Sequence, residues 1–357
     1  MTPHVPAPPL ASSASRFTLR HLPRFALPRL SVVVVNYRSW DDTALLVRQL
    51  RRSPALREGE AEIVVVDNHS PPHPVARRLR RLPGVSLRRW RSNRGFARAV
   101  NEGCRLGQGE WLLLLNPDVT LDAAFLDAAL ARVDRLAERD PDLGIVGFRL
   151  LNPDGARQLS AGRFPTLLGT LARLVLPRPR RKYQALAETH PQPVDWVTGC
   201  CLLVRRRCWE ELGGFDNDFF LYYEDVDLCA RAAARGWRVC YEPGLAVTHH
   251  HPLHGRPVPA HLRVITRHAL LTYARKHWPR WQRRVLGGVV RFEAMLRGGA
   301  AVLRGDGAAA GVFAALRNLA GELAHGDAAE ARRELLRVVR QQEDALAPPP
   351  LRRHPRP

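Results

Sequence analysis

The chain has 357 residues, 45% hydrophobic and 25% charged, which excludes a disordered or collagen-like polymer and leaves room for one large domain or two ordinary ones. Its 55 basic and 34 acidic residues give a formal charge of +21, and only Lys182 and Lys276 are lysines. An excess so dominated by arginine, beside so much alanine, reads as the mark of a GC-rich genome more than as selection for guanidinium chemistry. Residues 1–30 carry four arginines and no acid. Residues 31–260 carry 33 basic and 26 acidic residues, and residues 261–357 carry 18 and 8. The middle is therefore an ordinary folded body, and the excess sits at the ends, where it would bind anions without much choice.

Residues 1–29 hold several prolines and no apolar stretch, so a flexible tail is expected and a secretory signal is not. At Ser31 the pattern changes. Ser31–Asn36 is short, β-branched and apolar on both faces, as a buried parallel strand must be. A helix capped by Asp41 or Asp42 should run to about Arg52. Glu62–Asp67 is a second buried strand, followed by polar Asn68, His69 and Ser70. A helix over 74–82, a strand over 85–90 and a helix over 95–107 come next. Trp111–Leu115 is a third apolar strand, ending at Asn116-Pro117-Asp118, and helix 122–138 and strand 144–150 follow. Alternation of this kind predicts a parallel α/β sheet with right-handed crossovers, in which ligands bind beyond the carboxyl ends of the strands. Asp67 and Asp118 both lie at such ends.

Residues 151–192 are interrupted by prolines and suit a substrate loop or lid. Trp196–Arg205 reads as one strand and 206–212 as a short helix broken by Gly213-Gly214. Between 216 and 227, Asp216, Asp218, Glu224, Asp225 and Asp227 interleave with Phe219, Phe220, Tyr222 and Tyr223. A helix over 224–235 and a strand over 237–242 lead to His249, His250 and His251. Beyond 260 the chain is arginine-rich and helical. No run of about 18 apolar residues exists, so no spanning helix is expected. The six cysteines form no C-x-x-C pair and read as reduced, mostly buried small residues in the cytosol.

Several residues could carry chemistry. Asp67 suits either a base N–H or a helix N-cap. Asp118 can hold a hard divalent cation through oxygen, or simply form a turn. Asp225 would open a helix whose dipole favours its anion while Glu224 and Asp227 raise its proton affinity, which suits a general base; the alternative is a salt-bridged helix start using Arg231 and Arg235. His249 either points back to the Asp118 site or joins a solvated turn with His250, His251 and His254. Nine arginines between 77 and 98 read as an exposed helix face and sheet edge, with Arg94 kept as a substrate contact.

Taken in order, Ser31–Tyr37, Val64–Ser70, Asn93–Gly103 with its Asn-Arg-Gly-Phe-Ala start, Leu114–Asp118, Trp196–Gly199, Gly213–Phe220, Glu224–Arg231 and His249 resemble a family 2 glycosyltransferase of the GT-A fold. The Asn-Pro-Asp version is most similar to its rhamnosyltransferase and galactofuranosyltransferase-like branch. The resemblance spans about three-fifths of the chain. It implies a mostly parallel α/β sheet flanked by helices, with the catalytic domain at 30–260, a basic helical region at 261–345 and a Pro/Arg-rich tail at 346–357.

It also implies roles. Asn36, Asp67, Arg94, Asn116 and Asp118 would bind a dTDP- or UDP-sugar, with Asp67 on the uracil or thymine. Asp118 and His249 would hold Mg2+ or Mn2+. Asp225 would be the base, Glu224 would shape its setting, and Trp196 and Gly199 would line the acceptor or sugar pocket. Asn116 stands where many relatives carry the first acid of Asp-x-Asp, leaving one carboxylate for the metal. The implied reaction is inverting transfer, rhamnose first, to a glycan or lipid-linked acceptor. Galactofuranosyl or N-acetylhexosaminyl transfer is the alternative within the family. A basic nucleic-acid or anionic-membrane binding protein is the rival of another class; it accounts for +21 but not for acids at strand ends, and nucleic acid is not an expected partner. The expected location is cytoplasmic, with attachment of 261–345 to the anionic inner membrane face and a soluble helical appendage equally open.

Overall fold

The computed structural model describes residues 27–175, 189–251 and 258–345. Most of the expected tails at 1–29 and 346–357, the middle of the 151–192 loop, and His254 lie outside the described residues. Arg29, within the expected tail, is paired with Asp134 at 2.7 Å.

The first half runs β1 (Leu30–Asn36), α1 (Trp40–Leu50), α2 (Pro54–Arg57), β2 (Ala61–Asp67), α3 (Pro74–Leu79), β3 (Val85–Arg89), α4 (Phe96–Leu106), β4 (Trp111–Leu115), β5 (Val119–Thr120), α5 (Phe125–Arg139) and β6 (Leu143–Leu151). Next come β7 (Arg157–Gln158), β8 (Ala161–Gly162), α6 (Leu167–Val175), β9 (Gln192–Pro193), β10 (Trp196–Val197), β11 (Cys201–Arg205), α7 (Arg206–Leu212), α8 (Glu224–Ala234) and β12 (Arg238–His249). Four helices end the described chain: α9 (Ala260–His277), α10 (Arg280–Leu303), α11 (Gly307–His325) and α12 (Ala328–Ala345).

The main sheet has the order β3-β2-β1-β4-β11-β6-β12-β5. β3, β2, β1 and β4 are parallel, and β12 is parallel to β6. β11 is antiparallel to both neighbours, so the sheet is mixed and mostly parallel. The strands read as unbroken apolar runs because both faces are covered. Val32, Val34, Ile63, Val65 and Leu113 face a core with α1, α3 and α5, while Val33, Val64, Val66 and Leu112 face one with α4, α7 and α8. A third core joins α9–α12 to Leu167 and Phe220.

Three local readings need correction. The expected strand 196–205 is two strands, because β10 pairs β8 in a separate two-stranded sheet and the chain turns at Thr198–Cys200 before joining β4. The strand expected to end at 242 continues to His249: Pro243-Gly244 interrupt its register with β6 between Glu242 and Ala246 without ending it. Neither Asp41 nor Asp42 caps α1; Ser39 is the N-cap residue and makes no side-chain cap bond.

This topology collects the candidates. The C-terminal ends of β1, β2 and β4 share one edge with the N-terminal end of antiparallel β11, where Cys201 is paired with Leu115. β5 pairs with the far end of β12, Val119 opposite His249, and brings Asp118 to the same edge.

Candidate active site

One wall is built on the ends of β1 and β2. Asn36 donates through Nδ2 to Asp67 Oδ1 at 2.8 Å and Ser70 Oγ at 2.9 Å, and accepts from the Thr43 hydroxyl at 2.9 Å. Asp67 is fully buried, its second oxygen taking the Arg89 Nε–H at 2.8 Å. It does not cap α3; the N-cap is His73. Beside it, Asn68 Oδ1 accepts the Arg94 backbone N–H at 2.8 Å, and the Arg94 guanidinium lies 4.8 Å from the centre of the Trp90 ring. Gly95 has φ +91°, and a Cβ there would sit 2.8 Å from the Phe220 carbonyl oxygen. Only glycine permits the loop to close on the acidic-aromatic segment.

The second group is Asp118 and His249. His249 Nε2 lies 3.3 Å from Asp118 Oδ2 and Nδ1 lies 3.1 Å from the buried Gln158 Oε1. Burial works to raise the Asp118 pKa, but the hydrogen bond and charge of His249 outweigh it and hold the carboxyl below its ordinary value. The Asp118 bond needs a proton on Nε2; in the other tautomer, with Nδ1–H donated to Gln158, that bond is given up and Nε2 would present its lone pair, the arrangement that suits an imidazole ligand. His250 turns aside, its Nε2 3.1 Å from the Thr120 hydroxyl. Among the described residues no group of three or more His, Cys, Asp or Glu is disposed to hold a metal. The protein's share of a cation site would be this oxygen and nitrogen.

The third group opens α8. Asp225 is half-buried and accepts the Gly199 N–H at Oδ2 and the Val226 N–H at Oδ1, both at 2.8 Å. Burial raises its pKa and these N–H groups pull against that rise. Glu224 is buried, with Oε2 lacking a hydrogen-bond partner. Burial, then the Asp225 charge, pushes it well above the usual carboxylate range. The arginines do not neutralise this pair: Arg231 binds Asp227 at 2.7 Å, and Arg235 donates to the Glu211 carbonyl. Asp227 also meets His277 at 2.8 Å, which fastens α9 to α8.

Cys200 links the second and third groups. Its carbonyl accepts the Asn116 N–H at 3.0 Å, its neighbour Gly199 holds Asp225, and its buried thiol, raised first by burial, is raised further by the charges of both Asp118 and Asp225. Both carboxylates thus lie close enough to Cys200 for their charges to act on its thiol. Trp196 lies on β10, against which α8 packs, with its indole N–H on the Arg163 carbonyl at 3.0 Å. The four non-glycine residues with positive φ among the described residues are Arg38, His69, Tyr222 and Tyr223. They follow Asn36 and Asp67 or precede Glu224, so the backbone strain, of order 1–3 kcal/mol each, gathers around these groups.

Two contributors escaped the sequence reading. Gln158 carries no signal at all, since it meets His249 across 91 positions. Arg89 was one of nine arginines; the strand's alternation, which leaves it half-buried while Arg88 is exposed, could have singled it out. The other eight are exposed, as expected of a helix face and edge.

Residues 28–282 match the model of the glycosyltransferase-like family 2. The N-acetylglucosaminyl-diphospho-decaprenol L-rhamnosyltransferase of Mycobacterium tuberculosis is 32% identical over 273 residues, covering 71% of this chain and 86% of its own length. Rhamnosyltransferase WbbL of Escherichia coli is 30% identical over 154 residues, 42% of this chain and 56% of its own. A crystal structure of GalNAc-T7 with UDP, GalNAc and Mn2+ superposes with a TM-score of 0.52 at 18% identity, over 70% of this chain and 48% of that one, a likeness of fold.

Proposed function

The chain belongs to the glycosyltransferase-like family 2, in its rhamnosyltransferase-like branch, and on that premise we propose that it moves rhamnose from a nucleoside-diphosphate donor to a hydroxyl of a lipid-linked or glycan acceptor, with inversion. The choice of sugar and of a lipid-linked acceptor follows the Mycobacterium tuberculosis relative, whose name specifies L-rhamnose and a diphospho-decaprenol. The observation that carries the mechanism is that the Gly199–Cys200 turn accepts the Asn116 N–H, two residues before the Asp118 that pairs with His249, and donates its Gly199 N–H to Asp225.

In this reading Asp225 accepts the proton of the attacking hydroxyl. Its raised pKa makes it a stronger base than a solvated aspartate, and the Gly199 and Val226 N–H groups fix its direction. Glu224, buried beside it, favours its neutral form, which would spare the site a second negative charge. Asn36 and Asp67 shape the base end of the donor site; contact between Asp67 and a uracil or thymine would require Arg89 to yield Oδ2. Arg94 and Asn116 border the donor, and Trp196 and Gly199 the acceptor side. Asp118 and His249 fit a divalent cation, Mg2+ or Mn2+, as a hard anionic oxygen and an imidazole steadied by Gln158. When bound, such an ion offsets charge gathering on the departing diphosphate. Residues 30–260 would form the catalytic unit and 261–345 a helical annex, working on the cytoplasmic side. No described helix is long and apolar enough to cross a membrane.

A panel of dTDP-rhamnose, UDP-galactofuranose and UDP-N-acetylglucosamine, each with and without Mn2+, tests the reading. Metal-dependent donor turnover should be strongest with dTDP-rhamnose, and the product anomer opposite to that of the donor. Preference for another sugar, or a retained anomer, overturns the corresponding part.

A further inference from the structure

The helix α10 has two apolar faces, and the fold uses one. Leu286, Gly287, Val290, Ala294 and Ala301 are buried on the side toward α11, where a Cβ on Gly287 would lie 2.7 Å from that of Ala324. On the opposite side Trp281, Val285, Phe292, Met295, Leu296 and Leu303 are exposed, Phe292 by 57% and Leu303 by 90%. Of the twelve exposed large hydrophobics among the described residues, seven, these six and Val302, lie on this one helix, so the patch is a built feature and not scattered surface. At about 100° per residue they fall within a stripe roughly 120° wide. The stripe runs the length of a 24-residue helix, about 36 Å.

We infer that this face of α10 lies flat on an anionic lipid bilayer. The charge around it selects that occupant. Arg280, Arg284 and Arg291 are exposed and share one flank of the stripe. The single acid on the helix, Glu293, is turned to Arg267 at 2.7 Å, Arg297 at 2.9 Å and Arg263 at 3.5 Å, so it offers no uncompensated negative charge. A second copy of the chain would set one arginine flank against another in a molecule already at +21. An anionic bilayer accepts both properties: its acyl boundary takes the stripe, its headgroups take the arginines, and Trp281 sits at one end as an interfacial aromatic. The helix lies in the plane of the surface, since it is not apolar enough to span. The surface is separate from the transfer chemistry and does not depend on the sugar assigned above.

The test is flotation of the full chain with vesicles of phosphatidylcholine containing about one-third phosphatidylglycerol, against phosphatidylcholine alone. Binding should be at least tenfold stronger to the anionic vesicles and weaken in high salt. The double variant Phe292→Glu with Leu303→Glu should lose roughly 100-fold of it, at the rate of one buried large side chain per factor of about ten. Because both side chains are exposed, its thermal midpoint and its turnover of donor with a soluble acceptor should match the wild type. Equal binding by the variant overturns the inference. So does a wild type that ignores vesicles and sediments as a dimer which the variant dissolves. A wild type that floats but transfers no sugar leaves this surface standing and sinks the transfer reading instead.

Discussion

Replacing Asp225 by asparagine isolates the proton acceptor with almost no change of shape. Both carboxylate oxygens accept backbone N–H groups at 2.8 Å, from Gly199 and Val226. Asparagine can satisfy one of them and turns an NH2 toward the other, a cost of about 1–3 kcal/mol. Against that, the variant removes an anion that burial disfavours, from beside the buried Glu224. The two effects oppose each other, so the thermal midpoint should move little near neutral pH. The rate should not be spared. A general base contributes about 10²–10⁴-fold, which is about 3–5 kcal/mol of barrier, and kcat should fall by that factor while the donor Kd, measured by calorimetry with Mn2+, stays within about threefold. The pH profile supplies the sharper reading. Wild-type kcat/KM should rise with pH through an inflection above the ordinary aspartate value, because burial raises the Asp225 pKa, and that acidic limb should vanish in the variant. Near-normal turnover, or an acidic limb that survives the substitution, would refute the assignment of the base.

Asp118→Ala should weaken Mn2+-dependent donor binding at least tenfold and leave metal-free binding unchanged, as titration calorimetry would register. The same variant should forfeit an acid-side stability increment: a carboxyl held below its ordinary value stabilises the fold above the unfolded pKa, and that increment is lost as pH falls through the folded value. Glu224 carries the opposite sign. Its folded pKa is raised, so the native state holds the proton longer than the unfolded chain does, and stability declines as pH climbs from about 4.5 toward the folded value. Glu224→Gln should flatten that decline and raise the midpoint at pH 8 by about 2 °C or more; a lower midpoint would mean that the fold stabilises the ionised carboxylate and that its pKa is not raised. Gly95→Ala meets a positive φ and the Phe220 carbonyl together, and should cost about 1–3 kcal/mol in denaturant titrations.

What the sequence disclosed was chemistry written locally. Asn36, Asp67 and Asp118 were legible because an apolar strand that ends in a polar side chain marks a sheet edge without help from elsewhere. Asp225 was legible because acids among aromatics contradict the ordinary rule of solvation. The structure adds the partners that come from far along the chain. Gln158 reaches His249 across 91 positions and His277 reaches Asp227 across 50, and no local pattern encodes either meeting. The split of 196–205 was invisible for a related reason. The residues on both sides have strand chemistry, and the partner met at the turn, the Asp225 carboxylate that takes the Gly199 N–H, belongs to a different element.

Asn116, which the family resemblance sets where an acid is usual, acquires a physical meaning from this geometry. Its backbone N–H still ties the end of β4 to the Cys200 carbonyl, so the main-chain frame that spaces Asp118 from Asp225 is held whether or not the side chain is acidic. What changes is charge. With Asp118 and His249 as the protein's only donors in this reading, a cation would draw most of its ligands from the donor's diphosphate oxygens and from water. Metal and nucleotide would then bind as partners, each raising the affinity of the other by the same factor, as linkage requires. A site with one carboxylate fewer would be expected to hold its ion chiefly while sugar nucleotide is present, and release of the nucleoside diphosphate would carry the ion away with it. The weak point of the motif would in this way serve turnover: the same oxygens that the cation neutralises during transfer would extract it when the product leaves.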